Sequence, residues 1–484
     1  MAQFVTPSKY GLLESPSTQK LTPLDMNVPR VYGARWILCF PLENGADYHE
    51  VYDKLRIGLA HTIRSIPWIA GVIGPEEGSE ISKNRIQIVE SLSSLSFWSV
   101  HTQPSISYLS RTSQLTPSLP LPSYRDLTDV LPPYDDLKAD GFPLSRLSTD
   151  DVGPIGVMAE PPQPVMKAQA NFVKGGLLLS VGIHHAAGDA TALDTIIGIW
   201  AQNTAAASGC SSFSTYDSPS HDREPLMNGI SGAPLSHFPE YQLIPASQLP
   251  PAQMSPQLPS LVTHVFCFSP QTLAELKSSA AAFSTNDALC AFLWSRMTVA
   301  RWTGEASSTQ DDTTNKASSM WYAINIRSRT SPPLPPTYLG NGSMCTTTEP
   351  LTAATLLGEN GLKQAATAIR KSLVAFNSPN RVPLTIGLLG SRPDPTDFKL
   401  LFNAFLGPNV VATSWTDVKV YERNWGALGF IDSMRVPGEG SDGNIIILPR
   451  LRDGSLEIVV GLESEAMSRL LADEAFNKFA TRCA

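Results

Sequence analysis

The sequence predicts an α/β fold in two domains, on three observations. Short apolar, strand-like runs alternate with segments of helical spacing in both halves, the pattern of layered sheets and helices. The 484 residues exceed what one core holds, since domains run to roughly 100–200 residues. Near the middle, residues 204–260 lose apolar periodicity and become rich in Ser, Pro and Gly, which marks a crossover. The chain therefore divides into 1–204, a linker over 205–261, and 262–484. No internal repeat of 20–50 residues points to a solenoid or propeller.

Taken in order, residues 30–42 (RVYGARWILCFPL) are aromatic and β-branched and predict a strand. Tyr48, Val51, Leu55, Leu59 and Ile63 have helical spacing, and Pro67 predicts the stop. Residues 103–165 are punctuated by proline and read mostly as irregular connections. Gly175-Gly176 opens the apolar run 177–183, a buried strand that ends in His184-His185-Ala186-Ala187-Gly188-Asp189. A helical pattern follows from Ala192 to Ala201. Beyond the linker come a strand over 262–268 and a helix over 270–281. Ser284-Thr285-Asn286-Asp287 then caps a helix through Met297. The polar run 304–318 predicts a solvated loop, strands fit 320–326, 444–448 and 456–460, and a last helix starts near Glu465.

Composition narrows the function. With 36 Lys+Arg against 44 Asp+Glu the net charge is −8, and no basic stripe offers a nucleic-acid or anionic-membrane surface. At 42% hydrophobic and 17% charged the chain is globular, and its 40 prolines predict long, stiffened surface connections. No basic-then-apolar leader and no run of about 18–20 apolar residues are found, so a cytoplasmic protein is expected. Six scattered cysteines without a CxxC pair suit reduced thiols. Asn341-Gly342-Ser343 fits a glycosylation sequon, of little weight without a leader.

Several chemistries drop out. GxSxG, HExxH and the phosphate-binding GxxxxGK[ST] are missing. A formal GxGxxG occurs at 438–443, but Pro437 precedes it and an apolar strand-like run follows. A dinucleotide site needs a strand before and a helix after, so a glycine turn between strands is the reading. HHAAGD is the informative segment. A buried strand delivers an imidazole to its end, small residues leave room beside the ring, and Asp189 stands across a tight turn. Histidine suits proton transfer at neutral pH. A structural pair of histidines capping a strand fits the same spacing.

These residues resemble a known family. His185-Ala186-Ala187-Gly188-Asp189 is similar to the HxxxD motif of the BAHD acyltransferases, in the HHxxxD form of the wider CoA-dependent superfamily. Four further segments fall in the family's order. Leu21-Thr22-Pro23-Leu24-Asp25 with Pro29-Arg30-Val31-Tyr32 resembles the opening of the fungal, secondary-metabolism branch. Ser284 to Leu289 resembles the STNDAL helix start, and Asn325-Ile326-Arg327-Ser328-Arg329 with Tyr338-Leu339-Gly340-Asn341 the NxRxR…YxGN segment. Thr413-Ser414-Trp415 with Asn424-Trp425-Gly426 stands where the family carries DFGWG. One departure stands out: the family's Asp is Asn424 here. In the family that Asp pairs with an arginine, so Arg327 or Arg329 would lack a counter-charge unless another carboxylate, such as Asp189, replaces it.

The resemblance implies a chloramphenicol-acetyltransferase-like fold, with two similar-sized domains of mixed sheets flanked by helices and a channel between them. It implies an acyl-CoA donor, acetyl-CoA being the commonest, and a small-molecule alcohol acceptor. No bound cofactor, metal, nucleic acid or membrane is expected, and a monomer suffices. His185 would be the general base, and Asp189 would hold the turn. Thr413 or Ser414 would stabilise the oxyanion, or merely cap a turn. Ser284 and Thr285 would touch CoA, or only cap their helix. Arg327, Arg329, Asn424, Trp425 and Gly426 would be structural. A carrier-dependent condensation-type enzyme and a pseudoenzyme or small-molecule binding protein of the same fold remain as alternatives.

Overall fold

A computed structural model describes residues 17–76, 84–90, 122–147, 152–153, 155, 161–214, 216, 218–245, 259–302, 316–437 and 441–484. Its first large sheet gathers β1 (Tyr32–Pro41), β2 (Ser123–Asp126), β3 (Met166–Val173) and β4 (Gly176–His184). β4 lies at the centre, antiparallel to both β1 and β3, and β2 adds in parallel beyond β3. Every residue of β4 is buried. A strand covered on both faces needs apolar side chains at every position, which is why this run does not alternate.

Two 18-residue helices cover that sheet. α1 (Tyr48–Ser65) starts where the Asp47 carboxylate accepts the His49 and Glu50 amides, and it ends at Ile66, just before Pro67. Such caps satisfy N–H groups that the first turn leaves unpaired. α2 (Ala190–Ala207) follows β4 and packs on α1. The buried Trp200 Nε1 donates to the Leu55 carbonyl at 2.9 Å.

The second large sheet contains β5 (Leu261–Phe268), β6 (Met320–Asn325), β7 (Ser343–Thr347), β8 (Val410–Ser414), β10 (Asn444–Ile447), β11 (Leu456–Glu463) and β12 (Thr481–Arg482), in the spatial order β7-β6-β8-β10-β11-β5-β12. α3 (Pro270–Ser279), α4 (Thr285–Trp302) and α5 (Gly361–Phe376) pack a separate apolar cluster against it, centred on Trp294, Phe268 and Phe476. A short strand, β9 (Ser433–Arg435), leaves this half and pairs antiparallel with β1 at the edge of the first sheet. Trp415, Trp425 and Ile431, which flank it in sequence, join the first core.

Two sequence expectations need correction. The region read as irregular connections contains β2 and the helix Tyr134–Ala139, each too short to show periodicity; residues 103–121 lie outside the described part. The stretch read as linker is packed, not passive: Leu226 and Phe238 are buried in a cluster with Ile326 and Tyr338. Single apolar residues set between prolines and serines bury themselves through short 3₁₀ turns, which no helix or strand period reveals. Gly443, at φ +76°, ends the glycine-rich turn and enters β10, as its context in the sequence suggests; residues 438–440 are outside the described part. The same holds for 303–315, most of the polar run read as a loop.

Candidate active site

His185 follows the last residue of β4, and its amide donates to the Val31 carbonyl at 2.8 Å. Facing it, β1 has a bulge: the register between β1 and β4 shifts between Tyr32 and Ala34, leaving Gly33 as the extra residue. A Cβ built on Gly33 would lie 2.6 Å from His185 Cδ2. Glycine at 33 is therefore what makes room for the ring. The ring is half-buried, and its Nδ1 is a buried atom without a hydrogen-bond partner. Burial pushes the imidazole below its ordinary value, and its own backbone, Asp189 and Asn341 offset this only in part. The ring is thus neutral and able to accept a proton near pH 7.

His184 is fully buried on the other side of the strand. Its Nδ1 accepts the Ala186 amide at 3.1 Å, and its ring meets the edge of Tyr32 at 5.8 Å. Of the two histidines, His184 has its ring bonded into the packing, and His185 keeps a ring nitrogen without a partner.

Two ion pairs brace the turn after His185. Asp189 caps α2 by accepting the Ala192 amide at 2.9 Å, and it receives Arg327 through both oxygens at 2.9 Å each. The Gly342 amide supplies a fourth bond at 2.9 Å. Burial raises this carboxyl's pKa, but Arg327 and the two amides outweigh it and hold it below the usual carboxylate range. None of the four bonds goes to the His185 ring, so the carboxylate is occupied in fixing the turn.

The second pair was not singled out in the sequence. Arg223, from the supposed linker, bonds buried Asp25 at 2.6 Å and the Ala187 carbonyl at 2.7 Å. Asp25 also accepts the backbone amide and the side-chain amide of Asn341, at 3.0 and 2.8 Å. The same Asn341 side chain donates to the His185 carbonyl at 2.7 Å. Asn341 is fully buried, so the sequon it opens offers no glycan site in this fold. Asp25 lay in the quoted opening motif and Asn341 in YxGN, but nothing local marks Arg223, whose partners stand 198 and 36 residues away.

Elsewhere the expectations change. Neither Arg327 nor Arg329 meets Asn424: Arg327 takes Asp189, while exposed Arg329 bonds Asn377 and the Asn325 carbonyl. Asn424 is exposed and closes its own turn by accepting the Gly426 amide at 2.9 Å. The anchor of this segment is Arg423, which pairs with Asp194 of α2 at 2.9 Å and lies over Gly198, where a Cβ would meet the guanidinium at 2.8 Å. Trp425 is fully buried against Phe40 and Trp200, and Gly426 takes φ +70°.

Thr413 and Ser414 close β8, next to Trp415, which packs edge-on against Trp36 of β1 at 6.0 Å. Ser414 is exposed, with its hydroxyl 3.2 Å from that of Thr416; neither residue bonds His185. Ser284 and Asp287 form a reciprocal cap on α4 at 3.1 and 3.2 Å, and Arg370 bonds both. Thr285 is the first residue of that helix. Among the described residues no group of His, Cys, Asp and Glu could hold a metal ion, and no helix is long and apolar enough to cross a membrane.

Known proteins share this arrangement of sheets. The model of the transferase family matches residues 148–476. Eremophilane O-acetyltransferase ORF8 of Penicillium roqueforti is 27% identical, over 96% of this chain and 98% of its own length. Trichothecene 3-O-acetyltransferase TRI101 of Fusarium sporotrichioides is 26% identical over 92% of each chain. The crystal structure of the F. sporotrichioides TRI101 complexed with coenzyme A and T-2 superposes with a TM-score of 0.75, at 24% identity, over 96% of this chain and 100% of that one. Matched by the family model over more than half its length, and with the five motifs in order, the chain belongs to the transferase family of BAHD acyltransferases.

Proposed function

We propose that this enzyme transfers an acyl group, most simply acetyl, from acyl-CoA to a hydroxyl of a secondary metabolite, directly and within a ternary complex. The observation that carries this reading is His185: a neutral, half-buried imidazole at a strand end, with room made for it by Gly33 and its backbone gripped by Asn341. His185 would take the acceptor's hydroxyl proton as the oxygen attacks the thioester carbonyl, then return a proton to the departing CoA thiolate. Asp189 serves as a positioning residue, since all four of its bonds hold the turn. The relatives named as O-acetyltransferases, and TRI101 crystallised with coenzyme A, support the donor and acceptor classes.

For the donor we assign Ser284 and Thr285. They open an 18-residue helix, where Arg370 balances the Asp287 carboxylate of the first turn. For the oxyanion we assign Thr413 or Ser414, at the end of β8. The channel that the family resemblance implies lies within one chain and needs no second subunit, so the active species in this reading is a monomer, placed in the cytoplasm. The binding-protein alternative rested on an arginine left unpaired by Asn424; with Arg327 on Asp189, that support is gone.

The test is free-CoA release on purified protein with a panel of acyl-CoAs and pooled secondary-metabolite alcohols. Acceptor-stimulated release should fall about 10²–10⁴-fold in His185→Ala while the Tm changes little. Equal release by wild type and His185→Ala would refute the base assignment. No binding of any acyl-CoA would favour a carrier-dependent enzyme instead.

A further inference from the structure

Away from the candidate active site, two cysteines sit together on the second sheet. Cys267 lies on β5, where it pairs across to Thr481 of β12. Two residues further on, the Cys483 amide donates to the Val265 carbonyl at 2.8 Å, which places Cys483 opposite Val265. Residues two apart on a strand share a face, so the Cys267 and Cys483 side chains are diagonal neighbours on one side of the sheet. The Cys483 thiol donates to the carbonyl of Thr481, the residue that faces Cys267 across the ladder, at 3.4 Å. Both are half-exposed, whereas Cys39 and Cys290 are buried and Cys210 is exposed with no cysteine beside it.

We propose that Cys267 and Cys483 are a redox-sensitive thiol pair that peroxide closes into a disulfide. The Cys267 thiolate attacks a peroxide oxygen, the O–O bond breaks, and hydroxide leaves a sulfenic acid on Cys267. The Cys483 thiol then attacks that sulfur, forming the S–S bond and releasing water. For hydrogen peroxide the sum is two thiols plus one peroxide giving one disulfide and two waters.

The neighbours suit this order of events. The Cys483 thiol beside it lowers the pKa of Cys267, against burial and the charges of Glu457 and Asp453. Glu457, directly across on β11, is itself neutralised by Arg435 at 2.7 and 2.9 Å. In the proposed order Cys267 is the attacking thiol and Cys483 the one that resolves.

Residues 481–484 also span the two halves. The Val265 amide donates to the Ala484 carbonyl at 2.8 Å, and the Cys483 carbonyl lies against the Gly141 turn, whose own carbonyl receives Arg435. A bond at Cys483 would fasten this bridge to β5.

The experiment treats the full-length, reduced protein with one equivalent of hydrogen peroxide, alkylates the remaining thiols under denaturing conditions, and maps peptides without reduction. A Cys267–Cys483 cross-linked peptide is expected, with a mass loss of about 2 Da, while Cys210 stays alkylated. Cys267→Ser and Cys483→Ser should each abolish the cross-link, and Cys483→Ser should leave Cys267 as the oxidised residue. Hydrogen exchange over residues 481–484 should slow at least several-fold in the oxidised protein. Oxidation of Cys210 ahead of the pair, or sulfinic acid on Cys267 of the wild type without a cross-link, would overturn the proposal.

Discussion

Two segments of this chain each place an arginine against α2, and they hold its counter-charge very differently. At the HxxxD turn, Asp189 and Arg327 are both buried and bonded through both carboxylate oxygens. At the Asn-Trp-Gly turn, Arg423 and Asp194 carry the ion pair, while the neighbouring Asn424 faces solvent and bonds only its own loop. A motif residue can change its charge without consequence where another residue anchors the segment. It cannot where it is the only counter-charge to a buried guanidinium.

The sharpest break in this comparison is a pair of opposite exchanges. Asp189→Asn leaves the Arg327 guanidinium buried and uncompensated, which should cost about 3–5 kcal/mol in urea unfolding. Should the variant fail to fold, adding Arg327→Gln removes the orphan charge and should restore a cooperative transition. If Asp189→Asn unfolds like wild type, the pair does not brace the turn.

Gly33→Ala comes next, because it attacks the ring without touching its clamps. The new Cβ must displace His185, and a misplacement near 1 Å costs on the order of 10²-fold in turnover. We expect kcat to fall about 10–100-fold with KM nearly constant, and unchanged kcat would mean that the ring has slack.

A smaller effect is read from pH. Because burial lowers the His185 pKa, the acid limb of kcat/KM should lie below the ordinary histidine value of 6.5. The sign for stability is the same: the folded state holds the neutral ring, so this contribution is present at neutral pH and is lost as pH falls from the unfolded value through the folded one. An acid limb above 6.5 would contradict the burial argument. Least of all should Asn424→Asp matter. Either side chain can accept the Gly426 amide, so the change in stability should stay within about 0.5 kcal/mol. A gain of a few kcal/mol would show instead that an arginine there lacks a partner.

Much of this was legible in the chain. β4 and α2 stand out because a continuous apolar run and a helical period survive without knowledge of partners. The cap at Ser284 was legible because it uses groups three residues apart; those at Asp47 and Asp189 are equally local but were not singled out. His185 was visible because a strand end and small neighbours are local features. β9 was not, since three residues show no period and the strand exists only by pairing with β1.

Sequence by itself therefore determined the α/β layering, the strand that carries His185, and the cap that begins α4, because each depends on contacts a few residues long. Only the tertiary structure decided which acid meets which arginine. Arg327 reaches Asp189 across 138 residues and Arg223 reaches Asp25 across 198, and pairings at that distance leave no trace in local spacing. It also decided that a glycine on β1 would make room for a histidine on β4, since steric exclusion between strands exists only once they lie side by side.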